Sequence, residues 1–331
     1  MKKISFLLLA ALALNSCGSD KTPSDKKDTA DTTKKVTAVP EKPDKPVERL
    51  DPNDTVFEWK STIQLASNPK REPMGFALFE NGNIAYVLDR KDSCVRIIDH
   101  TGKPIRAFGT IGKTDSTFKD FPDNVAVGPD GSVYVSDGTQ PRVLVFDSLG
   151  HFKYVVKLGG SDLVAGIAVN KQGTLFVSIA TGWMLKSYDA SGKFIRDIKD
   201  IKNKGGVAWG YFANVSLDSS DAIYVCNWRG VASGGSDVVV HECDKDGAYL
   251  TTIPLLLDHG VVMFQADAAG RLFADAIDGI IVYSHTGKRI AKIGKNGKGD
   301  GEFEPETISG IQVDNAGYVY VLCKNQIKIF R

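Results

Sequence analysis

The chain has 331 residues, with 41 Lys and Arg against 40 Asp and Glu, so its formal net charge is +1. No charge imbalance therefore points to nucleic acid as a partner or to an acidic surface. The sequence also lacks the GxxxxGK[ST], HExxH, GxSxG and CxxC spacings, so no common catalytic or nucleotide-binding motif names a reaction.

The N-terminus has the pattern of an export signal. Lys2 and Lys3 precede an apolar run over residues 4–14, which is followed by Asn15, Ser16 and Cys17. The apolar run is shorter than the roughly 20 residues that span a bilayer. The segment ending at Cys17 resembles a lipobox, and residues 1–17 are therefore interpreted as a lipoprotein signal peptide with Cys17 as the lipidated residue. An ordinary secretory signal with an incidental cysteine is the alternative.

Residues 18–51 contain almost no aromatic or large apolar side chain and mix both signs of charge with Thr and Pro. Such a segment buries too little apolar surface to offset its chain entropy, which predicts a disordered tether. Residues 52–331 are long enough for one large all-β domain.

This domain is a repeat. The unit over residues 121–160 has short apolar runs at 124–127, 133–135, 143–146 and 152–158, separated by Gly-, Pro- and Asp-containing turns, which predicts a four-stranded antiparallel meander. The turn between its first two strands recurs every 42 to 49 residues, at Gly82, Gly131, Gly173, Asp221, Gly270 and Gly317. Six units indicate a six-bladed β-propeller.

The sixth unit ends after its third strand, at residues 327–330, and so lacks a fourth strand. Residues 56–65 have the pattern of a fourth strand without a unit of their own. An open strand edge leaves backbone donors and acceptors unpaired, so we expect this N-terminal strand to complete the last blade.

Two linkers carry a family resemblance. The stretches around Phe108–Gly112 with Phe118 and Phe121, and around Gly294–Gly297 with Phe303 and Pro305, look like the linker of NHL repeats, and the run from Asp137 through Arg142 to Asp147 looks like that repeat's second half. The chain resembles the six-bladed, NHL-repeat-like propeller lipoproteins of Gram-negative bacteria. This resemblance implies a cell-envelope protein, lipid-anchored in the outer membrane, and leaves the activity open because propellers host many functions.

Cysteine and histidine give no catalytic set. Cys94, Cys226, Cys243 and Cys323 occupy non-equivalent places in the repeat, so free and mostly buried thiols are expected although an exported chain permits disulfides. His241 falls inside a third strand and should be packed. Three other histidines lie at third-to-fourth turns, and only His259 could reach the channel mouth.

Aromatic residues gather in loops of one predicted face, the face that receives the loops between second and third strands. These candidate binding residues are Trp183, Trp209, Tyr211, Trp228 and Arg229. Rigid, half-apolar side chains of this kind could hold a glycan or a peptide. Packing over the blade ends is the alternative.

The same face also carries a candidate site for Ca²⁺ or another divalent metal. Asn124 and Asn214 occupy equivalent positions at the starts of inner strands, with Glu72, Asp123 and Glu306 close by in sequence, and calcium prefers carboxylate and amide oxygens. Six-bladed lactonases of the gluconolactonase type resemble this arrangement. Asn and Glu as ordinary residues of turns at strand starts are the alternative.

Two functions remain open from the sequence. The first is a non-enzymatic binding or scaffolding lipoprotein for a glycan, peptide or partner protein, with a membrane as partner through its anchor, no nucleic acid and no expected cofactor. The second is a divalent-metal-dependent hydrolase or lyase, lactonase-like, at the mouth of the central channel. No catalytic residue is identified.

Overall fold

The computed structural model describes residues 56–65, 72–79, 82, 84–160, 162–180, 184–199, 201, 211–231, 235–255, 263–276, 279–304 and 307–331. Over these residues the protein is all-β, with six four-stranded antiparallel sheets arranged as the blades of a propeller. The predicted fold class is therefore confirmed. No helix among the described residues is long and apolar enough to cross a membrane.

The strands follow the predicted repeat. Blades 1 to 3 consist of β2 (Pro73–Phe79), β3 (Ile84–Asp89), β4 (Cys94–Asp99) and β5 (Pro104–Phe108); β6 (Pro122–Val127), β7 (Val133–Asp137), β8 (Arg142–Phe146) and β9 (Phe152–Lys157); and β10 (Val164–Val169), β11 (Leu175–Ile179), β12 (Met184–Tyr188) and β13 (Phe194–Ile198). Blades 4 and 5 consist of β14 (Tyr211–Leu217), β15 (Ile223–Val231), β16 (Gly235–Cys243) and β17 (Tyr249–Leu255); and β18 (Phe264–Ala266), β19 (Leu272–Ala276), β20 (Gly279–Tyr283) and β21 (Arg289–Ile293). Blade 6 contains β24 (Ile308–Val313), β25 (Val319–Cys323), β26 (Gln326–Phe330) and β1 (Trp59–Gln64), and a short parallel pair, β22 (Lys295–Asn296) and β23 (Glu302–Phe303), lies before it.

The N-terminal strand closes the ring as predicted. β1 pairs antiparallel with β26, with Ile63 opposite Ile327 and Gln64 opposite Gln326. Backbone bonds extend this pairing at both ends, from Leu65 N–H to Asn325 O at 2.9 Å and between Glu58 and Arg331 at 3.0 Å in each direction. The last blade thus joins the two ends of the domain.

The six aligned turn positions share one backbone conformation. The five glycines have φ between 74° and 85°, and Asp221, the one exception in residue type, has φ 63°. Left-handed backbone is readily adopted by Gly and tolerated by Asp. The alignment of the repeat on these six residues is therefore confirmed.

The core consists of six apolar layers, each between two adjacent blades. An aromatic residue near the start of the second strand enters these layers in every blade, and all six rings are buried: Tyr86, Tyr134, Phe176, Tyr224, Phe273 and Tyr320. Side chains alternate along a strand, so the outward face of one blade packs on the next.

The two linkers that carry the NHL resemblance have similar local structure. Ile111 and Phe118 form a parallel bridge in the first, and β22 pairs parallel with β23 in the second. Gly109 and Gly294 lie against the rings of Phe118 and Phe303, where an added Cβ would come within 2.4 Å and 2.2 Å.

The thiols and His241 agree with the sequence analysis. Cys94, Cys226, Cys243 and Cys323 are buried and free. Burial raises the pKa of the Cys226 thiol to about 12, so this thiol is not a ready nucleophile. His241 lies in β16 and is fully buried. His259 lies outside the described residues.

Candidate functional site

The inner strands are irregular at the end that faces the channel mouth. In five blades the register between first and second strands shifts by one residue at this end, between Pro73 and Gly75, Pro122 and Val125, Val164 and Gly166, Phe212 and Asn214, and Ile308 and Gly310. A β-bulge re-aims side chains and is common beside functional sites. The mouth is therefore lined by residues released from the regular ladder.

In blade 2 the bulge contains Asp123 and Asn124, opposite Ser136 of β7. The Asn124 backbone N–H donates to Ser136 Oγ at 2.8 Å. The Asn124 side-chain Nδ2 donates to Asp123 Oδ2 at 3.1 Å and to Ser136 Oγ at 3.2 Å. These bonds hold a carboxyl and an amide side by side at the start of the inner strand.

A cation from the neighbouring blade completes the cluster. Arg90, in the turn between β3 and β4 of blade 1, places its guanidinium carbon 4.1 Å from the ring centre of Phe121 in the linker before β6. This is the distance of a cation–π contact. Arg90, Phe121, Asp123 and Asn124 are named below the mouth cluster.

A buried ion pair holds the backbone of the linker that precedes β6 and ends at Phe121. The Asp137 carboxylate, fully buried at the end of β7, accepts the Lys119 N–H at 2.9 Å and the Asp120 N–H at 3.0 Å. Arg142 Nε donates to the same carboxylate at 2.6 Å. Charge-assisted bonds to backbone N–H groups restrict the linker, so the mouth cluster is preorganised.

The Asp123 carboxyl has a raised pKa because of its surroundings. Burial raises the pKa of its carboxyl to about 6, against the attraction of Arg90 and the hydrogen bond from Asn124, and the nearby Asp120 carboxylate raises it further. A carboxyl that titrates near neutral pH in a partly enclosed position is a candidate functional group.

Asp123→Asn is expected to stabilise the protein at pH 8 and to leave it nearly unchanged at pH 4.5. Because the folded-state pKa of Asp123 lies above the unfolded value of 3.8, the native state binds the extra proton, and stability falls as pH rises from about 4 through about 6. The difference at pH 8 should be about 1–3 kcal/mol, measured by urea unfolding at both pH values.

Asp246→Asn, an exposed carboxyl at the opposite end of the blades, is the matched control and should show no such gain. Equal midpoints for the parent and Asp123→Asn at pH 8 would show that Asp123 ionises without penalty.

The predicted aromatic face is only partly within the described residues. Trp183 and Trp209 lie outside them, as do the side chains of Tyr211, Trp228 and Arg229. The backbones of Tyr211 and Trp228 are directly paired between β14 and β15, and Arg229 follows on the same strand. The aromatic platform stays a prediction.

The predicted metal ligands are only partly within the described residues. Asn214 uses both amide atoms within the protein, accepting the Val215 N–H at 2.8 Å and donating to Phe264 O at 3.1 Å. Glu72 is exposed, Glu306 lies outside the described residues, and no described group of three or more His, Cys, Asp or Glu side chains could hold a metal ion. The Asn214 oxygen is thus already engaged by a backbone N–H, and the divalent-metal site stays a prediction.

Blade 4 departs from blades 1 and 2 beneath the same face. Where Asp89 and Asp137 pair with Arg96 and Arg142, blade 4 has Asn227 Nδ2 3.2 Å from His241 Nε2. His241 Nδ1 lies 2.9 Å from Thr252 Oγ1, which extends this chain of hydrogen bonds to β17. Asn227 is paired with Val239, so blade 4 has valine and not arginine at this place in its ladder.

Sequence reasoning placed Asn124 at the mouth and noted Asp123 beside it, but gave no functional role to Arg90 or Phe121. The contact of Arg90 with Phe121 joins residues 31 positions apart on two blades, and no local pattern marks it.

The fold places the chain in the class of six-bladed β-propellers. Among solved structures it is similar to a streptogramin B lyase, at 17% identity with a TM-score of 0.54, covering 83% of this chain and 97% of that one. It is also similar to a catalytically inactive virginiamycin B lyase from Staphylococcus aureus with quinupristin, at 13% identity with a TM-score of 0.56, covering 83% and 99%. A gluconolactonase from Xanthomonas campestris gives 12% identity and a TM-score of 0.56, covering 82% and 98%.

No protein-family model and no curated protein sequence matches the chain. The NHL-repeat lipoprotein family is therefore not confirmed. Identities this low support the shared fold alone, and the propellers named above include a lyase and a lactonase.

Proposed function

We propose that the protein is a membrane-anchored binding module whose mouth cluster captures a polyhydroxylated ligand such as a glycan. The observation that carries the proposal is the half-buried Asp123 carboxyl, held beside the Asn124 amide with the Arg90 guanidinium close by. Ligand sites typically combine an enclosed surface with a few fixed polar groups that set orientation.

The chemistry of the mouth cluster favours hydroxyl groups as partners. Asp123 accepts hydrogen bonds, Asn124 can donate and accept, and Arg90 presents several donors on a planar group. Neighbouring hydroxyls of a sugar offer donors and acceptors at matching separations. Phe121 contributes an apolar surface, although Arg90 lies over one part of it.

The anchoring half of the proposal rests on the sequence of residues 1–17. A lipid on Cys17 would attach the chain to a membrane of the cell envelope without a spanning helix. Residues 18–51 would then separate the lipid from the domain.

Arg90→Gln and Asp123→Ala are each expected to weaken glycan binding about tenfold or more, because a hydrogen bond to a charged group contributes about 1.5–3 kcal/mol. The measurement is binding of the purified protein to an array of oligosaccharides, followed by titration of the strongest hit. Asp246→Ala, at the far end of the blades, is the control and should bind as the parent does.

Failure of the parent to bind any oligosaccharide, or equal binding by both mouth variants, would contradict the mouth cluster as a glycan site. A parallel array of short peptides distinguishes a peptide ligand at the same position. Retained binding in both variants that is lost in Trp228→Ala would move the site to the predicted aromatic face.

A hydrolase or lyase is the second candidate, favoured by the pKa of about 6 for Asp123. A carboxyl with this pKa can act as general acid or base near neutral pH. Turnover of an aldonolactone that is lost in Asp123→Asn would favour this candidate, and turnover abolished by EDTA would favour the divalent-metal version. The absence of turnover both with and without added Ca²⁺ would count against the enzyme and favour the binding role.

A further inference from the structure

Exposed apolar side chains are concentrated at one edge of the propeller. Among the described residues nine large apolar side chains are exposed. One of them, Ile111, lies in the linker between blades 1 and 2. The other eight lie in the turn before a fourth strand or at the start of that strand: Val56, Trp59, Ile105, Leu149, Phe152, Phe194, Ile195 and Leu250. We name these eight residues the apolar rim.

The topology explains why these positions form one edge. In blades 1 to 5 the third strand turns into the fourth at the end of the blade opposite the mouth. In blade 6 the fourth strand is β1, and its first residue, Trp59, lies opposite Phe330 at the end of the third strand, so β1 starts at the same end. The rim therefore crosses blades 6, 1, 2, 3 and 4, which are consecutive around the ring. Isolated exposed apolar residues are ordinary on a protein surface, but a set confined to one edge calls for a partner.

Contacts between blades place each turn before a fourth strand against the end of the preceding fourth strand. The turn glycine of each blade packs on the outer strand of the preceding blade. A Cβ added to Gly102 would lie 2.6 Å from Ile63 Cγ2, and a Cβ on Gly150 would lie 2.4 Å from Phe108. The start of each fourth strand thus follows directly on the end of the previous one.

Basic side chains flank the rim in blades 1 to 3. The segments are Lys103-Pro104-Ile105-Arg106, His151-Phe152-Lys153 and Lys193-Phe194-Ile195-Arg196, and none contains an acidic residue. The carboxylates of the adjacent turns cap the turn backbone at the surface: Asp99 accepts the Thr101 N–H at 2.9 Å, and Asp189 accepts the Ser191 N–H at 2.9 Å. Apolar side chains bordered by Lys and Arg have the composition of a membrane-interface segment.

The chain that precedes the described domain reaches it at this edge. Val56 is part of the rim, and the ring of the following Phe57 packs on Phe273 of β19 with centroids 5.9 Å apart. The 38 residues between Cys17 and Val56 therefore join the propeller beside the rim. A lipid on Cys17 would therefore hold the domain near a bilayer through a segment that enters at this edge.

We propose that the apolar rim docks on a membrane surface containing anionic lipids and leaves the mouth cluster facing away from it. The rim side chains would enter the interface, and Arg106 and Lys193 would lie among the headgroups. This inference goes beyond the proposed ligand site and does not depend on it.

The test uses the full chain carrying Cys17→Ser, which lacks the proposed lipidation site. Its co-sedimentation is measured with vesicles of phosphatidylcholine alone and of phosphatidylcholine mixed with phosphatidylglycerol. We expect preferential binding to the mixed vesicles, and a loss of about tenfold or more when Ile105→Gln, Leu149→Gln and Ile195→Gln are added. These three side chains are 49–57% exposed, so the variant should keep the parent's thermal melt.

Ile111→Gln is the matched control, because Ile111 is 53% exposed but lies outside the rim. It should bind the mixed vesicles as the Cys17→Ser parent does. Arg106→Gln with Lys193→Gln should reduce binding to the mixed vesicles and leave binding to phosphatidylcholine unchanged.

Vesicle binding that survives the three rim substitutions would overturn the proposal, as would the absence of binding in the parent. A dimer of the parent that the rim substitutions dissociate, measured by light scattering, would replace the membrane with a second copy. None of these results bears on glycan binding at the mouth. Release of the Cys17→Ser chain into the soluble fraction of disrupted cells tests the anchor separately.

Discussion

Removal of residues 1–65 should leave the propeller without a stable folded state. The deletion exposes the whole edge of β26 and removes Ile63 and Leu65, which are 8% and 7% exposed, from the layer between blades 6 and 1. Loss of a buried aliphatic side chain alone costs about 2–5 kcal/mol. Two such losses and the unpaired edge approach the whole stability of a typical domain, about 5–15 kcal/mol.

The measurement is soluble yield together with a thermal melt. A chain that lacks residues 1–51 keeps β1 and should melt within a few degrees of the full chain, which separates the effect of the strand from that of the preceding segment. If the chain beginning at residue 66 melts like the parent, the closure by β1 does not stabilise the ring.

Arg142→Leu should have the largest effect of any single substitution named here. Arg142 is 4% exposed, and Asp137, which it bonds at 2.6 Å, is fully buried. Removing one partner leaves an unpaired charge in the interior, which costs about 3–5 kcal/mol. Arg142 Nη2 also donates to Thr117 O at 2.5 Å, so the linker before β6 loses a second support.

Arg96→Leu provides the comparison in blade 1. It breaks the equivalent bond to Asp89, but the Arg96 side chain is 19% exposed and water can partly replace it, so a smaller loss is expected. Chemical denaturation of both variants and of the double variant Asp137→Leu with Arg142→Leu gives the measurement. The double variant should recover part of the stability, and a cost below about 1 kcal/mol for Arg142→Leu would show that the pair is not structurally important.

The ion pair of Asp137 and Arg142 also bears on the proposed function, because it holds the linker before β6. Asp137 holds the backbone of Lys119 and Asp120 directly before Phe121. A variant at Arg142 that still folds should therefore weaken ligand binding at the mouth although Arg142 touches no ligand. Arg96→Leu should affect the mouth less, because its partner Asp89 supports the linker before β2, where it accepts the Glu72 N–H at 3.3 Å, and not the linker before β6.

The sequence by itself determined the blade architecture. Alternation within short β-branched runs, turn residues at regular spacing and a spare N-terminal strand are local features, and each acts within one blade or across one pair of strands. For this reason the six turns could be aligned through Asp221, and the closure of blade 6 could be placed at residues 56–65.

Only the tertiary structure decided the candidate site and the apolar rim. The mouth cluster depends on a bulge that brings Asp123 and Asn124 opposite Ser136 and on Arg90 reaching Phe121 from another blade. The rim depends on which side of each outer strand is left uncovered after the blades pack. Burial and contact between blades are properties of the assembled ring, and a pattern with a period of two residues cannot specify them.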